Sequence, residues 1–247
     1  MPRKYRITEI GFYHVINRGV ERRTIFYEEE DFDAFLDILK YVSKTYKVII
    51  HAYCLMSNHY HLLIETTQTN ISSAIRYLNA SYSNYFNKKH QRNGHLWQSR
   101  FFSNYLFDDE HFWIIAKYIE QNPIKAKMVN KIEDYKYQSL FQYMHKQKHF
   151  EALKYSKILN MHARDYYDFI NSEMSDDYFQ KIYTEPKQQK DKDGNIVVLN
   201  YRIDSFFKED IDINRVENIQ KAFEYGYTKA EIANFLNISN TMVVKYL

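Results

Sequence analysis

His59 and His61 stand two residues apart in Asn58-His59-Tyr60-His61. The apolar run Val48-Ile49-Ile50-His51-Ala52-Tyr53-Cys54-Leu55-Met56 precedes them and Leu62-Leu63-Ile64 follows. Residues i and i+2 of a strand share a face, so both imidazoles project from one side of a sheet, which is half of a metal site. Ten histidines in 247 residues supply about 0.4 such pairs by chance, so the pair gains meaning only with a third ligand and a nucleophile. Lys117-Tyr118-Ile119-Glu120-Gln121-Asn122 offers both, because Tyr118 and Asn122 are i and i+4 on one helix face. His59, His61 and the Asn122 amide oxygen would hold a divalent ion with positions open for phosphate oxygens, and Tyr118 would sit beside it. A phenol with an ordinary pKa of about 10 is a poor nucleophile at neutral pH, but against a metal-polarised phosphodiester it can attack phosphorus. The resulting phosphotyrosine conserves bond energy for rejoining a strand, where a water nucleophile would simply hydrolyse it.

The elements that must place these groups can be read from periodicity. Residues 10–17 read as a strand, followed by a basic loop with Arg18, Gly19, Arg22 and Arg23. Phe32, Phe35, Leu36, Leu39 and Val42 recur at helical spacing between Glu28 and about Tyr46. Val48 to Thr66 forms a strand pair with Ser57-Asn58 near its corner, and a second helix spans Ile71 to Lys89. Residues 95–107 return to strand character. A third helix starts near Asp108-Asp109-Glu110, acids at its positive end, and should stop by Asn122 because Pro123 follows. This order predicts an α+β fold: a ferredoxin-like antiparallel sheet with flanking helices. The sequence divides into a core domain over 1–145, a helical extension over 146–184, a polar linker over 185–199 and a small all-α tail over 200–247. In the tail, Thr228-Lys229-Ala230-Glu231 is a capping box, Asn237 tolerates left-handed geometry, and Ser239 or Asn240 can cap a last helix. That is a helix-turn-helix pattern, which equally describes helical hairpins with no DNA role.

Composition narrows the partners. Residues 1–150 carry 21 Lys+Arg against 15 Asp+Glu, whereas 151–247 carry 13 against 16, so the front half suits a polyanion. Tyr and Phe number 24 and 17, a content that serves base stacking but also follows from AT-rich codon usage. A single cysteine, Cys54, excludes an intrachain disulfide and fits a reducing, cytoplasmic setting. No stretch is apolar enough to span a membrane, and the N-terminus lacks a signal-peptide core.

Four stretches in order resemble one family. They are His14-Val15-Ile16-Asn17-Arg18-Gly19, Met56-Ser57-Asn58-His59-Tyr60-His61-Leu62-Leu63-Ile64, Gly94-His95-Leu96-Trp97-Gln98-Ser99-Arg100-Phe101 and Tyr118-Ile119-Glu120-Gln121-Asn122-Pro123-Ile124-Lys125-Ala126. The chain resembles the HUH-type single-tyrosine transposases, in particular the REP-associated tyrosine transposases of the IS200-like group, over about residues 5–145. The resemblance implies a metal held by His59 and His61, Tyr118 as nucleophile, Asn122 as the polar third ligand, and cleavage of single-stranded DNA through a 5′-phosphotyrosine. Tyr60 stands where the family pattern has an aliphatic residue. The resemblance implies Mg²⁺ or Mn²⁺, of which Mn²⁺ suits imidazole better.

The expected partner is a single-stranded DNA hairpin or repeat element, with duplex DNA gripped through the tail, no membrane, and a monomer favoured over a dimer. Arg18, Arg22, Arg23, Trp97, Arg100, Lys125 and Lys127 are the candidate DNA contacts, each weighed against an ordinary surface or core role. The competing readings are a non-catalytic DNA-binding regulator that keeps the fold, and a replication-initiator or relaxase-like nickase.

Overall fold

Alternation of apolar residues in the first half of the chain closes a four-stranded sheet around which everything else is laid. A computed structural model describes residues 7–106, 108–173, 188–190, 196–198, 203–207, 214–225 and 227–247. The chain forms two compact units, Met1–Thr184 and Glu185–Leu247.

In the first unit, β1 (Gly11–Arg18), α1 (Glu29–Tyr46), β2 (Val48–Met56), β3 (His59–Thr66), α2 (Ile71–Lys89), β4 (Phe102–Leu106) and α3 (Asp109–Lys125) follow one another. The sheet order is β2-β3-β1-β4 with every pair antiparallel, the ferredoxin-like arrangement expected from the element order. Both faces of the sheet are covered. Tyr13, Val15, Tyr53, Leu55, Tyr60, Leu62 and Ile64 pack under α1 and α2, whereas Ala52, Cys54, Met56 and Leu63 pack under α3 and the segment after it. Successive residues of a strand alternate between these two cores, which is why β2 is buried almost throughout.

The helix boundaries have local causes. Glu28 and Asp31 form a reciprocal capping box at the start of α1, and Lys47 takes the left-handed conformation at its end (φ 53). The side chain of Asp108 accepts the His111 N–H at 2.8 Å to open α3. The expected stop at Asn122 is not observed: α3 runs through Pro123 to Lys125. Proline at 123 removes only the N–H that would reach the Ile119 carbonyl. The Asn122 amide nitrogen sits 2.7 Å from the Tyr118 carbonyl and 3.5 Å from that of Ile119, covering the same stretch of backbone.

The strand expected over 95–107 is also shorter, beginning only at Phe102. Residues 96–98 instead follow the loop after β1, with Val20 N–H donating to Leu96 and Gln98 N–H to Arg18, before the chain bends at Ser99. After α3 come two short helices, α4 (Ser139–His145) and α5 (Ala163–Asn171), linked by single 3-10 turns. Helix was expected to about residue 183, but 174–187 lie outside the described residues.

Within the second unit, β5 (Gln188–Lys190) and β6 (Ile196–Val198) pair antiparallel inside the segment that reads as a linker. Helices α6 (Arg215–Tyr225), α7 (Lys229–Phe235) and α8 (Asn240–Tyr246) enclose a small core of Phe207, Ile219, Ala222, Ile232, Ala233 and Val243. Thr228 and Glu231 make the capping box, Asn237 is left-handed (φ 52), and Ser239 caps α8.

Candidate functional site

The register of β1 against β3 decides which side chains share the α3 face. Arg18 is opposite His59, Ile16 opposite His61, and His14 opposite Leu63, so Arg18, Ile16, His14, His59 and His61 all face α3. From α3, Tyr118 and Asn122 point back at them, one turn apart. All of these but His14, together with Asn17, Arg22, Arg100, Asn58, Gln98, Ser99 and Phe102, line an open cleft of about 620 Å³.

Inside the cleft the rings form a cluster. His59 and His61 lie 5.0 Å apart, nearly perpendicular, and the Tyr118 ring is edge-on to His61 at 5.7 Å. Behind them His14 stacks on His61 at 5.2 Å and meets Tyr118 at 5.8 Å. Burial, then the Arg18 charge, holds the His59 imidazole down to about 4. Burial, then His14 and His59, presses His61 well below the ordinary histidine range, and burial, then His111, takes His14 to about 3. All three are therefore neutral at pH 7, the form that carries a free lone pair. Because its Nδ2 donates to a backbone carbonyl, the Asn122 amide turns its oxygen, an acceptor, away from that carbonyl. Two neutral imidazoles and one amide oxygen form a donor set that fits a divalent first-row ion such as Mn²⁺ and suits Mg²⁺ less well.

A second group, Glu28, Asp31 and His90, is the one set of three His, Cys or carboxylate ligand atoms among the described residues that all lie within 4.8 Å of one another. It already contains a cation: the Lys89 ammonium lies 2.7 Å from Glu28 and 3.3 Å from Asp31. Asp31 also accepts the Tyr27 N–H at 2.9 Å and lies 3.0 Å from His90. This cluster is an ion-pair network that fastens the start of α1 to the end of α2.

The other candidate residues are spread over neighbouring surfaces. Arg18, Arg22 and Arg100 line the cleft, and the Arg18 Nε donates to Gln98 at 2.9 Å. Trp97 is half-buried, packs edge-on to Tyr60 at 5.6 Å and donates its indole N–H to the Asn79 carbonyl at 2.9 Å. It lines an adjoining groove of about 940 Å³ between α2 and residues 94–101, which shares Asn17, Gln98, Ser99 and Arg100 with the cleft. The Lys125 ammonium sits 5.2 Å from the centre of the Tyr118 ring. Arg23 pairs with Glu21 at 3.8 Å and, like the exposed Lys127, does not line the cleft. Sequence reasoning passed over His14, Asn58 and Gln98. His14 lies in a matched motif and could have been placed beside His61 once the β1–β3 pairing was known.

Two further features hold the cleft in shape. Gly19 has no room for a side chain, since a Cβ there would meet the Arg23 carbonyl at 2.4 Å and Ile25 at 2.8 Å. Its N–H donates to the Asn58 carbonyl, so the arginine loop is pinned to the histidine corner. On the far side of α3, Lys117 donates to Ser172 at 2.6 Å, Gln121 to the Ile170 carbonyl at 2.7 Å, and the buried Glu120 accepts from Ser139 and Tyr166. Burial pushes Glu120 up to about 8 against the pull of those hydrogen bonds, so its carboxyl braces the helix as a largely neutral group.

Residues 10–122 match the family Transposase IS200 like. The matched span covers the whole four-stranded sheet, α1, α2 and most of α3, so the likeness to an IS200-like transposase domain extends over the elements that build the cleft. A Haemophilus influenzae protein that bears the name REP-associated tyrosine transposase is 28% identical over 131 residues, 49% of this chain and 74% of the relative. A solved structure of a REP-associated tyrosine transposase bound to a REP hairpin shares the fold, with TM-score 0.51 and 17% identity over 58% of this chain and 86% of that one. The chain is thus similar in sequence and fold to the REP-associated tyrosine transposases.

Among the described residues no helix is long and apolar enough to cross a membrane.

Proposed function

We propose that the chain nicks and rejoins single-stranded DNA at a hairpin or repeat element, with Tyr118 as nucleophile and His59, His61 and Asn122 as ligands of a divalent cation. The observation that carries this reading is the meeting, in one cleft, of Tyr118 and Asn122 from a single helix with the two neutral imidazoles of β3. A cation held there, Mn²⁺ or Mg²⁺, would polarise the scissile phosphodiester and offset charge built up in the transition state.

The chain's own residues do the rest. Arg18, Arg22 and Arg100 draw the backbone phosphates into the cleft, and the rigid α3 holds the phenol oxygen at the reacting phosphorus. As the Tyr118 oxygen bonds to phosphorus, the bond from phosphorus to the 3′-oxygen breaks. The phenol proton is lost and the departing oxygen gains one, leaving a free 3′-hydroxyl and a 5′-phosphotyrosine. Attack by a 3′-hydroxyl on that ester reverses the step and reseals a strand. One chain supplies the whole set, since Tyr118 faces His61 of its own sheet, which supports action as a monomer. The likeness to a transposase solved on a REP hairpin supports a structured repeat as substrate. In the second unit, α7 and α8 with their tight Asn237 turn are suited to duplex DNA beside that repeat.

The test is covalent capture. Wild-type protein with Mn²⁺ and a single-stranded hairpin oligonucleotide should give a protein–DNA adduct resistant to denaturation, and Tyr118→Phe should give none while binding the same oligonucleotide. An adduct that survives in Tyr118→Phe rejects this nucleophile. Binding to duplex alone, with no cut in either form, favours the regulator.

A further inference from the structure

Each of the two cleft imidazoles has its Nδ1 already engaged. His59 Nδ1 lies 2.6 Å from the Asn58 side-chain oxygen. The Asn58 amide is turned this way because its nitrogen lies 3.0 Å from the Arg22 carbonyl, which can only accept. An amide oxygen likewise only accepts, so the His59 proton sits on Nδ1 and its lone pair on Nε2. His61 Nδ1 lies 3.0 Å from Nε2 of His14, a residue 1% exposed and stacked on it at an interplanar angle of 22°. One proton lies between those two nitrogens. Carried by His14, it would leave the His61 proton on Nε2 and close that nitrogen to a cation. Carried by His61 Nδ1, it opens Nε2, matching His59.

We propose that His14 and Asn58 are positioning residues that hold His61 and His59 in the Nδ1–H tautomer, so that the pair presents two Nε2 lone pairs to one divalent cation. This rests on the ligand reading of His59 and His61 above. The asymmetry between the two partners has a physical sense. Asn58 occupies the exposed two-residue turn between β2 and β3, where an amide fixed to the Arg22 carbonyl is needed to select a tautomer against water. His14 lies inside the sheet, where water cannot compete and a stacked ring also stops His61 from turning about its side-chain bonds. Removal of such an outer partner costs a metal site about 10–100-fold in affinity.

The experiment has two readouts on full-length protein. Long-range ¹H–¹⁵N correlation spectra of the metal-free protein report the tautomer of each histidine, and calorimetric titration with Mn²⁺ alone reports affinity. Both His59 and His61 should be found as Nδ1–H. His14→Phe, which keeps a ring but removes the acceptor, should weaken Mn²⁺ binding about 10–100-fold and release His61 toward Nε2–H. His14→Gln, which restores an acceptor oxygen, should bind Mn²⁺ close to wild type. Asn58→Ala, on a surface turn, should release His59 and weaken Mn²⁺ binding by a similar factor. Mn²⁺ binding by wild type with His61 found as Nε2–H overturns this inference and leaves the ligand reading standing. So does unchanged affinity in a folded His14→Phe or Asn58→Ala protein. Wild-type protein that binds no Mn²⁺ overturns the ligand reading and the inference with it.

Discussion

The cleft and the Glu28–Asp31–His90 network both bring ligand-type side chains together, yet their chemistry is opposite. In the network every charge is answered from within the chain, by Lys89, by His90 and by the backbone N–H of Tyr27. In the cleft the imidazoles are neutral, their Nδ1 atoms are already engaged, and the charge that acts on His59 is the positive one of Arg18. The comparison teaches that proximity of donors says little by itself. What separates a ligand site from a structural ion pair is whether the fold has already supplied the cation.

Breaking each cluster should therefore give different losses. His61→Ala should weaken Mn²⁺ binding by more than about 100-fold, beyond the loss expected for an outer partner, with calorimetry as the measure. Asp31→Asn should leave Mn²⁺ affinity unchanged but lower unfolding free energy by about 2 kcal/mol in a urea melt, because charged hydrogen bonds at the α1 start are lost. If Asp31→Asn instead abolishes Mn²⁺ binding, the two clusters have been assigned the wrong way round.

Acid should separate them next. The cleft imidazoles sit below the ordinary histidine range in the fold, so the unfolded chain binds more protons and their contribution to stability falls away as pH drops below about 6.5. Burial pulls Asp31 up, but the Tyr27 N–H, His90 and Lys89 outweigh it and leave its carboxyl below the usual range. Its contribution is complete above about 3.9 and is lost only as pH falls further, through the folded value. Urea midpoints followed from pH 8 to pH 3 should show both steps, with His14→Phe flattening the upper one and Asp31→Asn the lower.

The smallest effect should be electrostatic. Three cleft arginines on single-stranded DNA predict a logarithmic salt slope of about −2, and each Arg→Ala at 18, 22 or 100 should reduce it by about 0.7. Arg23→Ala and Lys127→Ala should leave the slope unchanged. A slope carried equally by all five would mean that the DNA spreads well beyond the cleft.

Much of this was legible in the residues. The helix over 71–89, the hairpin turning at Ser57-Asn58 and the start of the first helix near Glu28 fall where periodicity and capping put them. These signals are local, so no tertiary context was needed to read them. Two boundaries were misread because a local rule was overridden by a particular side chain or strand. Pro123 should end a helix, but the Asn122 amide covers the backbone that proline exposes. Residues 95–101 alternate like a strand, but the neighbouring loop offers them only two ladder bonds. At the site, His59, His61, Tyr118 and Asn122 could be named from spacing and resemblance together. His14 could not, because its place beside His61 depends on β1 lying next to β3, a fact of strand order that no short motif contains.

The brace behind α3 also has a meaning in time. Lys117, Glu120 and Gln121 are fastened by Ser139, Tyr166, Ile170 and Ser172, all of which leave the ribosome after the last cleft residue, Asn122. A nascent or truncated chain ending before Ser139 thus holds every cleft side chain yet lacks each polar contact that fixes the rear of their helix. The order of synthesis itself keeps the helix of Tyr118, the proposed nucleophile, unsupported until some fifty further residues have followed it.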